Sequence, residues 1–590
     1  MTTWHNDINR TGWQQSESTL TPSALTTCTS QPCFGLLWQW SGLAPVYAQP
    51  LAVGNLPALT NCPAPCSAVF IATEDDTVYA FNAASDSQHN PIIWQTNVAQ
   101  FLNGTAVDCS QQIQDFAPCQ PIPDGGKVGI TGTPVIDTST NLLYAVGAIE
   151  MGGNVVEYDL FAVNILSGAV AGHVAISGTV TGKAPGTNCA SSYGSGGYGP
   201  ITFDPDHRQR AALLLLNNNM VYVAFAPGDP NETLNGWIFG YKFVPNGNSG
   251  TFSQVELFNS TPYGTGGGVW QSAAGLSAEV RQDGTTYIYA ASGNGTFDLT
   301  GIIPTATDMG DTAMKFWVNT TTGALTLVDY YTPFNVNAYQ PPNSKIGVCQ
   351  NDADFGSGGV MVFPDAFYNG LNLSVVGDKQ SNLYVLNRDN MGHFNAAGGN
   401  LVELSPIRYV GQYAPTGQGF WSTPAYWKYV DSGVTHYLLY SSVTSDDKIA
   451  KPFFPMDMYE LATSGTSGPL PSAPTASSST VFCEFSPTPV LSSSGTTAGT
   501  GVVWGVERPN TDNQFNPPYD CQGAVVNSAA LHAFNANTMA ELYTSRALTT
   551  LGSAPSFSSP TVFQSRVYLG TSTTVNVFGL CASYPGGCTH

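Results

Sequence analysis

The chain has 590 residues, of which only 10% are charged, and 40 Asp and Glu against 18 Lys and Arg give it a formal net charge of -22. An acidic surface of this kind repels nucleic-acid phosphates and anionic membranes, so neither is an expected partner. The sequence contains no run of 18 apolar residues, which is about the length that a membrane-spanning helix needs. A hydrophobic content of 42% is enough for a large core, which excludes a disordered chain.

The twelve cysteines predict loops stapled by disulfides and therefore an oxidising compartment. None shows Cys-x-x-Cys spacing, and four pairs are close in sequence: Cys28 and Cys33, Cys62 and Cys66, Cys109 and Cys119, and Cys581 and Cys588. The start, "MTTWHNDINRTG", has neither a charged nor an apolar signal region. We therefore expect a secreted protein in its mature form, with Met1 in place of a removed signal peptide. Several Asn-x-Ser/Thr sequons, including one at Asn294, permit glycosylation.

One strand motif, with small residues around a Pro or Gly, recurs eight times along the chain. Its copies are "VYAQPLAV" (46–53), "GITGTPVID" (129–137), "GYGPITFD" (197–204), "VWQSAAGLS" (269–277), "FGSGGVMVF" (355–363), "FWSTPAYW" (420–427), "EFSPTPVLS" (484–492) and "SFSSPTVF" (556–563). Small residues suit the crowded axis of a β-propeller, and the alternating Val, Tyr and Leu strands that follow suit sheets packed face to face. Eight units sharing 590 residues have about 74 residues each, with the surplus over four strands in loops.

We therefore predict one all-β domain over residues 1–590, an eight-bladed propeller whose blades start near 46, 129, 197, 269, 355, 420, 484 and 556. The last unit ends one strand short, after "VNVFGL". The N-terminal "CFGLLWQWSG", within the segment 1–44, resembles the outer strand "NPIIWQTNV" of the first blade. It is expected to close blade eight and so remove the free sheet edge. In "WHNDINRTGW", His5, Asp7 and Arg10 could reach a pocket, but we favour a role in tying the N-terminus across the last and first blades.

Five candidate site residues lie at strand ends or in turns of this repeat. They are Glu150 in "AVGAIEMGG", Trp270 in "GGGVWQSAA", Asn294 in "AASGNGTFD", Asp354 in "QNDADFGSGG" and Lys379 in "VVGDKQSNLYVLNR". Lys379 is a lone lysine in a turn between two apolar strands of a chain with few basic residues. It is either an ordinary hairpin residue or the cation that a buried anionic ligand would need.

These stretches and the repeat resemble those of the pyrroloquinoline-quinone (PQQ) dependent alcohol dehydrogenases, which are also eight-bladed propellers. The resemblance implies a quinoprotein-like oxidoreductase that uses PQQ and Ca²⁺ to oxidise an alcohol, polyol, sugar or hydroxylated polymer in the central channel. By the same resemblance Glu150, Asn294 and Asp354 would ligate the calcium ion, Trp270 would form the floor under the quinone, and Lys379 would contact its oxygens. A flat tricarboxylate does need an aromatic face, a cation and a hard metal with oxygen ligands.

The resemblance also implies a catalytic base. Asp354, with Asp352 as the alternative, would take the proton of the substrate alcohol while hydride passes to the quinone.

The sequence departs from that family in several places. It has no pair of adjacent cysteines, and the cysteines in the corresponding loop, Cys109 and Cys119, are ten residues apart. The family's arginine has no clear equivalent, with Lys127 as the nearest cation. Phe420 replaces an asparagine beside the retained Trp421, which is expected to line the cofactor pocket. The chain has no Cys-x-x-Cys-His haem motif, so electrons would leave to an external acceptor.

Two other functions stay open. A non-catalytic glycan-binding, surface or matrix propeller would explain the missing disulfide and the Ser/Thr/Gly-rich loops at 462–480 and 493–500. A polysaccharide lyase or hydrolase could use the acidic pair Asp352 and Asp354. Each candidate also has a simpler explanation, for example a surface acid for Glu150 or an ordinary Asn-Gly turn for Asn294.

Overall fold

The structure is a computed structural model. It describes residues 1–29, 32–85, 91–109, 119, 126–152, 155–183, 198–216, 219–227, 234–297, 308–333, 354–379, 381–395, 407–408, 418–445, 454–482, 485, 487–509, 528–584 and 587–588. Eight antiparallel sheets follow one another along these residues, each built mainly from strands that are consecutive in sequence. This arrangement confirms the prediction of an eight-bladed β-propeller.

Every blade has four strands, which are ordered below from the channel outward. Blades 1 to 4 consist of Leu51–Leu56, Cys66–Ala72, Thr77–Asn82 and Ile92–Asn97; Val135–Asp137, Leu142–Met151, Val155–Asn164 and Val170–Ala175; Leu214–Leu216, Met220–Pro227, Trp237–Asn246 and Ser249–Asn259; and Ser277–Val280, Thr286–Ala291, Ala313–Val318 and Leu325–Thr332. Blades 5 to 8 consist of Phe355–Tyr368, Leu371–Asp378, Asn382–Asn387 and Ile407–Arg408; Ala425–Asp431, Val434–Ser442, Phe454–Glu460 and Ala476–Phe482; Val490–Ser492, Val502–Glu507, Ala530–Asn535 and Glu541–Thr544; and Thr561–Phe563, Arg566–Gly570, Thr574–Leu580 and Phe34–Ser41.

Additional short strands extend this frame. They are Trp13–Gln14, Thr105–Asp108, Lys127–Val128, Thr179–Lys183, Tyr198–Thr202, His207–Arg208, His393–Phe394, Gln418–Gly419 and Thr444–Ser445. Helices in the described part of the chain are single turns: Pro22–Thr26 and Val98–Phe101, and the 3₁₀ turns Gln271–Ala273 and Cys581–Ser583. None of these helices is long and apolar enough to cross a membrane.

The core lies between neighbouring blades, because each sheet carries apolar side chains on both faces. Tyr144 of blade 2 packs edge-on against Phe243 of blade 3, with ring centroids 5.9 Å apart. Phe363 of blade 5 packs in the same way against Tyr426 of blade 6, at 5.5 Å. Aromatic pairs of this geometry add to the stabilisation from burial, so successive blades hold each other in place.

The last blade is closed by an N-terminal strand, as the sequence predicts. Phe34–Ser41 pairs antiparallel with Thr574–Leu580 and forms the outermost strand of blade 8. Trp13–Gln14 adds a second link, because it pairs in parallel with the inner strand Val490–Ser492 of blade 7. The junction between the two ends of the chain is therefore held by strand pairing as well as by loops.

The N-terminal segment Met1–Gln14 runs inside the channel and bonds to the inner strands in blade order. Six inner-strand N–H groups donate to its carbonyls: Ala52 to Met1, Ile136 to Thr2, Ala278 to Ile8, Val362 to Asn9, Tyr426 to Thr11 and Leu491 to Gly12. The two remaining blades are reached by side chains, since Arg10 Nη2 donates to the Leu213 carbonyl (3.1 Å) and Gln14 Nε2 to that of Val562 (3.2 Å). The segment thus satisfies the exposed edges of the innermost strands.

The inner strand of blade 3 differs from the prediction. The motif at 197–204 does not face the channel, because Tyr198–Thr202 pairs with Thr179–Lys183 in a separate hairpin. Leu214–Leu216 takes the inner position instead. Its run of leucines is largely buried, whereas Tyr198–Thr202 carries a proline that removes a donor from a sheet ladder.

Four disulfides staple loops in the described residues. They join the pairs that are close in sequence: Cys28–Cys33, Cys62–Cys66, Cys109–Cys119 and Cys581–Cys588. Disulfides persist in oxidising compartments and are rare in the cytosol, so these bonds indicate an oxidising, extracytoplasmic environment.

Candidate functional site

Lys379 lies in a tightly organised turn between the second and third strands of blade 5. Asp378, at the end of the second strand, accepts hydrogen bonds from the main chain and side-chain amide of Asn382 and from the Tyr384 hydroxyl, all at 2.8–2.9 Å. Ser381 adopts a left-handed conformation with φ of 66°, which closes the turn. These bonds hold the backbone of Lys379 still and direct its side chain inward.

The ammonium group of Lys379 forms a buried ion pair with Asp354. Lys379 Nζ lies 2.6 Å from Asp354 Oδ2, and the two side chains are only 5% and 11% exposed. The other carboxylate oxygen, Oδ1, accepts the main-chain N–H of Asn294 at 2.6 Å. Gly293 makes this approach possible, because a Cβ there would collide with Asp354 Oδ1. The lysine is therefore not a solvated hairpin residue.

Two tryptophans enclose this ion pair. Lys379 Nζ lies 4.3 Å from the ring centroid of Trp421 and 5.0 Å from that of Trp270, and the two rings are 6.0 Å apart at an angle of 59°. A desolvated ammonium over an indole face gains about 2 kcal/mol. Trp421 is buried, and its indole N–H has no hydrogen-bond acceptor among the described residues. A buried donor without an acceptor is costly, and a bound ligand with an oxygen acceptor would satisfy it.

An aromatic strip continues from Trp421 across the channel. Phe485 of blade 7 contacts Trp421 at 4.9 Å and Phe557 of blade 8 at 5.5 Å, and the guanidinium of Arg210 lies 4.7 Å over Phe557. Phe485 and Phe557 both have positive φ, 52° and 65°, which is unusual for aromatic residues. Backbone strain of this kind is concentrated at functional sites. The strip has a cation at each end, Lys379 and Arg210.

The structure brings together most of the site residues predicted from the sequence. Lys379, Asp354, Trp270 and Trp421 are in contact, and Asn294 joins them through its main chain. Asp352 lies outside the described residues, so neither its role as a base nor an acidic pair with Asp354 is tested.

Glu150 is not among the residues that contact this group. It lies on the long second strand of blade 2, opposite Val156 and Thr105, in a part of the strand that extends past the blade core. In the described part of the chain, no three His, Cys, Asp or Glu side chains converge on a point that could hold a metal ion. The predicted calcium set Glu150, Asn294 and Asp354 includes an asparagine and so is not tested by this observation; it stays a prediction.

Sequence reasoning missed Glu74, which occupies in blade 1 the position of Lys379 in blade 5. Both lie in the turn to the third strand, where Glu74 in "ATEDDTVYAF" comes two residues after the second strand and Lys379 in "GDKQSNLYVL" one residue after it. In both turns a glycine of the following blade presses on the backbone, since a Cβ on Gly129 would lie 2.7 Å from Glu74 O and one on Gly419 would collide with Lys379 Cα. Burial raises the pKa of Glu74 to about 7. Aligning the blades turn by turn would have revealed this equivalence.

No protein-family model matches the chain, and no curated protein matches it in sequence. Solved structures do match in fold over almost the whole chain. A quinohemoprotein alcohol dehydrogenase from Comamonas testosteroni is 13% identical with a TM-score of 0.54, and one from Pseudomonas putida is 11% identical with a TM-score of 0.55; each match covers 100% of this chain and 81% of the other. A europium-containing methanol dehydrogenase is 12% identical, with 98% of both chains covered and a TM-score of 0.56.

The fold therefore places this protein among eight-bladed propellers of the type found in quinoprotein alcohol and methanol dehydrogenases. At this level of identity the likeness extends to the fold alone. A shared fold does not fix the chemistry, which depends on the side chains that this chain places at the site.

We call the group formed by Lys379, Asp354, Trp270 and Trp421 the channel mouth. Its side chains fit a planar anionic ligand. Trp270 is partly exposed and offers an aromatic face, Lys379 offers a cation, and the indole N–H of Trp421 lacks an acceptor among the described residues. A quinone carrying carboxylates has complementary features: a flat ring, negative charge and carbonyl oxygens. The same residues do not fit a calcium ion equally well, because Lys379 and the Asn294 N–H already occupy the oxygens of Asp354.

Proposed function

We propose that the channel mouth binds a pyrroloquinoline-quinone-like cofactor and that the protein oxidises an alcohol, a polyol or a hydroxyl group of a sugar. The observation that carries this proposal is the buried Lys379–Asp354 ion pair between the indole rings of Trp270 and Trp421. A purely structural ion pair would not require two tryptophans around it, one of them with an N–H that has no acceptor in the described part of the chain. A redox site needs this combination of stacking face, cation and base.

Each residue has a defined role. Trp270 would stack against the ring, Lys379 would neutralise its oxygens, and the indole N–H of Trp421 would donate a hydrogen bond to one of them. The quinone, when bound, would supply the acceptor for the substrate hydride, which carries the two electrons of the oxidation. Asp354 lies beside Lys379 and is the base that would accept the hydroxyl proton of the substrate. Whether Glu150, Asn294 and Asp354 also hold a calcium ion stays a prediction, which reconstitution with and without Ca²⁺ would address.

The test is reconstitution of the purified protein with PQQ, with and without Ca²⁺. We expect quinone absorbance to remain with the protein after gel filtration, tryptophan fluorescence to be quenched, and an alcohol or sugar to drive reduction of a dye. Asp354→Asn should keep the absorbance and lower dye reduction by about 10²–10⁴-fold, the usual contribution of a general base.

Lys379→Met should lose the retained quinone. Lys428→Met is the matched control, because Lys428 also forms a 2.6 Å ion pair, with Asp365 of blade 5, but has no part in the channel mouth. Failure of the wild-type protein to retain the quinone, or equal retention by Lys379→Met, would refute the proposal.

A non-catalytic saccharide-binding propeller is the second candidate. The partly exposed faces of Trp270 and Phe485 at the two sides of Trp421 favour it, since aromatic faces stack well against sugar rings. A glycan array separates the two functions. Saccharide binding without any dye reduction in the reconstituted protein would support this candidate.

A further inference from the structure

The turn Thr73–Asp76 of blade 1 buries two carboxyl groups at the junction with blade 2. Glu74 is 1% exposed and Asp76 is fully buried. Acidic side chains are almost never buried to this extent unless they are paired with a cation or with several hydrogen-bond donors. The junction therefore requires an account of where these charges are compensated.

Among the described residues, hydrogen-bond donors satisfy only one of the four carboxyl oxygens. Glu74 Oε2 accepts the Gly129 N–H at 2.8 Å and the Thr131 hydroxyl at 3.1 Å. Glu74 Oε1 and both oxygens of Asp76 are shielded from solvent and have no hydrogen-bond partner among the described residues. Three unsatisfied oxygens in one turn are far more than a folded protein usually tolerates.

Both carboxyl groups lie against the same part of blade 2. Glu74 is bonded to Gly129, and Asp76 reaches Gly147, where a Cβ would lie 2.7 Å from Asp76 Oδ1. These two glycines are neighbours, because the N–H of Ala148 donates to the Gly129 carbonyl at 3.3 Å. Gly147 keeps space open beside the Asp76 carboxyl group. The Ala148 N–H also lowers the pKa of Asp76, but its hydrogen bond is to the Gly129 carbonyl.

No cation of the described residues forms an ion pair with either carboxyl group. Lys127, whose side chain is exposed, acts on Asp76 only at a distance, and Arg210 and Arg208 act on Glu74 in the same way. Burial raises the pKa of both carboxyl groups, and the negative charge of Glu74 raises that of Asp76 further. Protonation would remove the charge but would leave the hydroxyl groups of the acids without acceptors, so it does not solve the hydrogen-bonding problem.

We propose that the Thr73–Asp76 turn is a binding site for a hard divalent cation of the calcium class. Glu74 and Asp76 supply carboxylate oxygens, and neighbouring main-chain carbonyls and water would complete the oxygen ligands that Ca²⁺ takes. The ion would bridge the second-to-third strand turn of blade 1 to blade 2. This site is separate from Lys379 and Asp354 in blade 5, and the proposal does not depend on the redox function.

The test measures calcium binding and thermal stability of the full-length protein after treatment with EDTA. We expect Ca²⁺ to bind the wild-type protein and to raise its Tm by about 2 °C when it is present at about 100 times its Kd. The double variant Glu74→Gln/Asp76→Asn keeps the shapes of both side chains and should lose both the bound ion and the Tm shift. Asp75→Asn is the matched control, because Asp75 is in the same turn but bonds to the Thr73 hydroxyl at 2.6 Å.

Asp354→Asn separates this site from the channel mouth. It should retain the calcium-dependent Tm shift of the wild-type protein even if it has no redox activity. A wild-type protein whose Tm and metal content do not respond to Ca²⁺ would overturn the proposal, whether or not the variants fold. An unchanged response in the double variant would overturn it too.

Discussion

Breaking the Lys379–Asp354 ion pair from one side should destabilise the propeller strongly, whereas removing both charges should cost much less. Lys379→Met leaves the Asp354 carboxylate buried without its 2.6 Å partner. Loss of one partner of a buried pair costs about 3–5 kcal/mol, and the lost contacts with the two indole rings add to the same effect. Asp354→Asn should cost about 2–4 kcal/mol, since it leaves a buried ammonium group but can still accept the Asn294 N–H.

In the double variant Lys379→Met/Asp354→Asn no charge of this pair is left unpaired. We expect its loss of unfolding free energy to be smaller than the sum of the single losses by at least about 2 kcal/mol. Urea unfolding, monitored by tryptophan fluorescence and by circular dichroism, measures the unfolding free energies of the wild-type protein, the two single variants and the double variant. If the sum of the two single losses equals the loss of the double variant within about 0.5 kcal/mol, the two groups are not coupled. The proposed arrangement of the channel mouth would then be wrong.

Two further predictions concern charged networks away from the channel. Arg388→Met removes the 2.5 Å bond from the guanidinium to the buried Glu279, which keeps Arg281 as a partner. The variant should therefore cost about 1.5–3 kcal/mol in urea unfolding, and a loss below about 1 kcal/mol would contradict a buried pair at this place. Burial opposes protonation of His532, but Glu507 and Glu541 outweigh it and raise the pKa of His532 above its ordinary 6.5. The charged His532 therefore stabilises the fold fully below about pH 6.5, and this stabilisation is lost as the pH rises through the raised pKa. In His532→Gln the urea midpoint should fall less steeply on the alkaline side. An identical pH profile in the variant and the wild-type protein would contradict this prediction.

The repeat made most of the architecture readable from the sequence. Each blade repeats a strand pattern, so the missing strand of blade 8 and its replacement by Phe34–Ser41 follow from counting. Lys379 and Asp354 could be paired because both lie at the same end of adjoining strands in blade 5. Blade 3 was misplaced because the motif around Tyr198–Thr202 matches the repeat locally, while burial of Leu214–Leu216 decides which strand faces the channel.

The parts of the site that the sequence did not reveal depend on contacts between distant blades. Phe485 and Phe557 come from blades 7 and 8, and a single aromatic residue near an inner strand looks like ordinary core in sequence. Glu150 shows the opposite case, because its neighbours in sequence fit the family pattern. The strand Thr105–Asp108, contributed by an insertion outside the repeat, pairs beside it and extends blade 2 there. Local pattern matching cannot anticipate such an insertion.

The N-terminal segment limits how any ligand reaches the site. Residues Met1–Gln14 bond to the inner strands of all eight blades, and the buried Arg10 guanidinium donates within this segment and to the inner strands of blades 3 and 4. Opening this end would leave six inner-strand N–H groups and several carbonyls unsatisfied, at about 1–3 kcal/mol for each group that stays buried. Trp421 and Phe557 come three residues before Pro424 and Pro560, while the N-terminal segment bonds two residues after those prolines. Five residues therefore separate the N-terminal hydrogen bonds from the aromatic strip, which is at most roughly 16 Å along the chain. Under the proposed redox function, substrate and electron acceptor would share the opposite mouth and would have to alternate there.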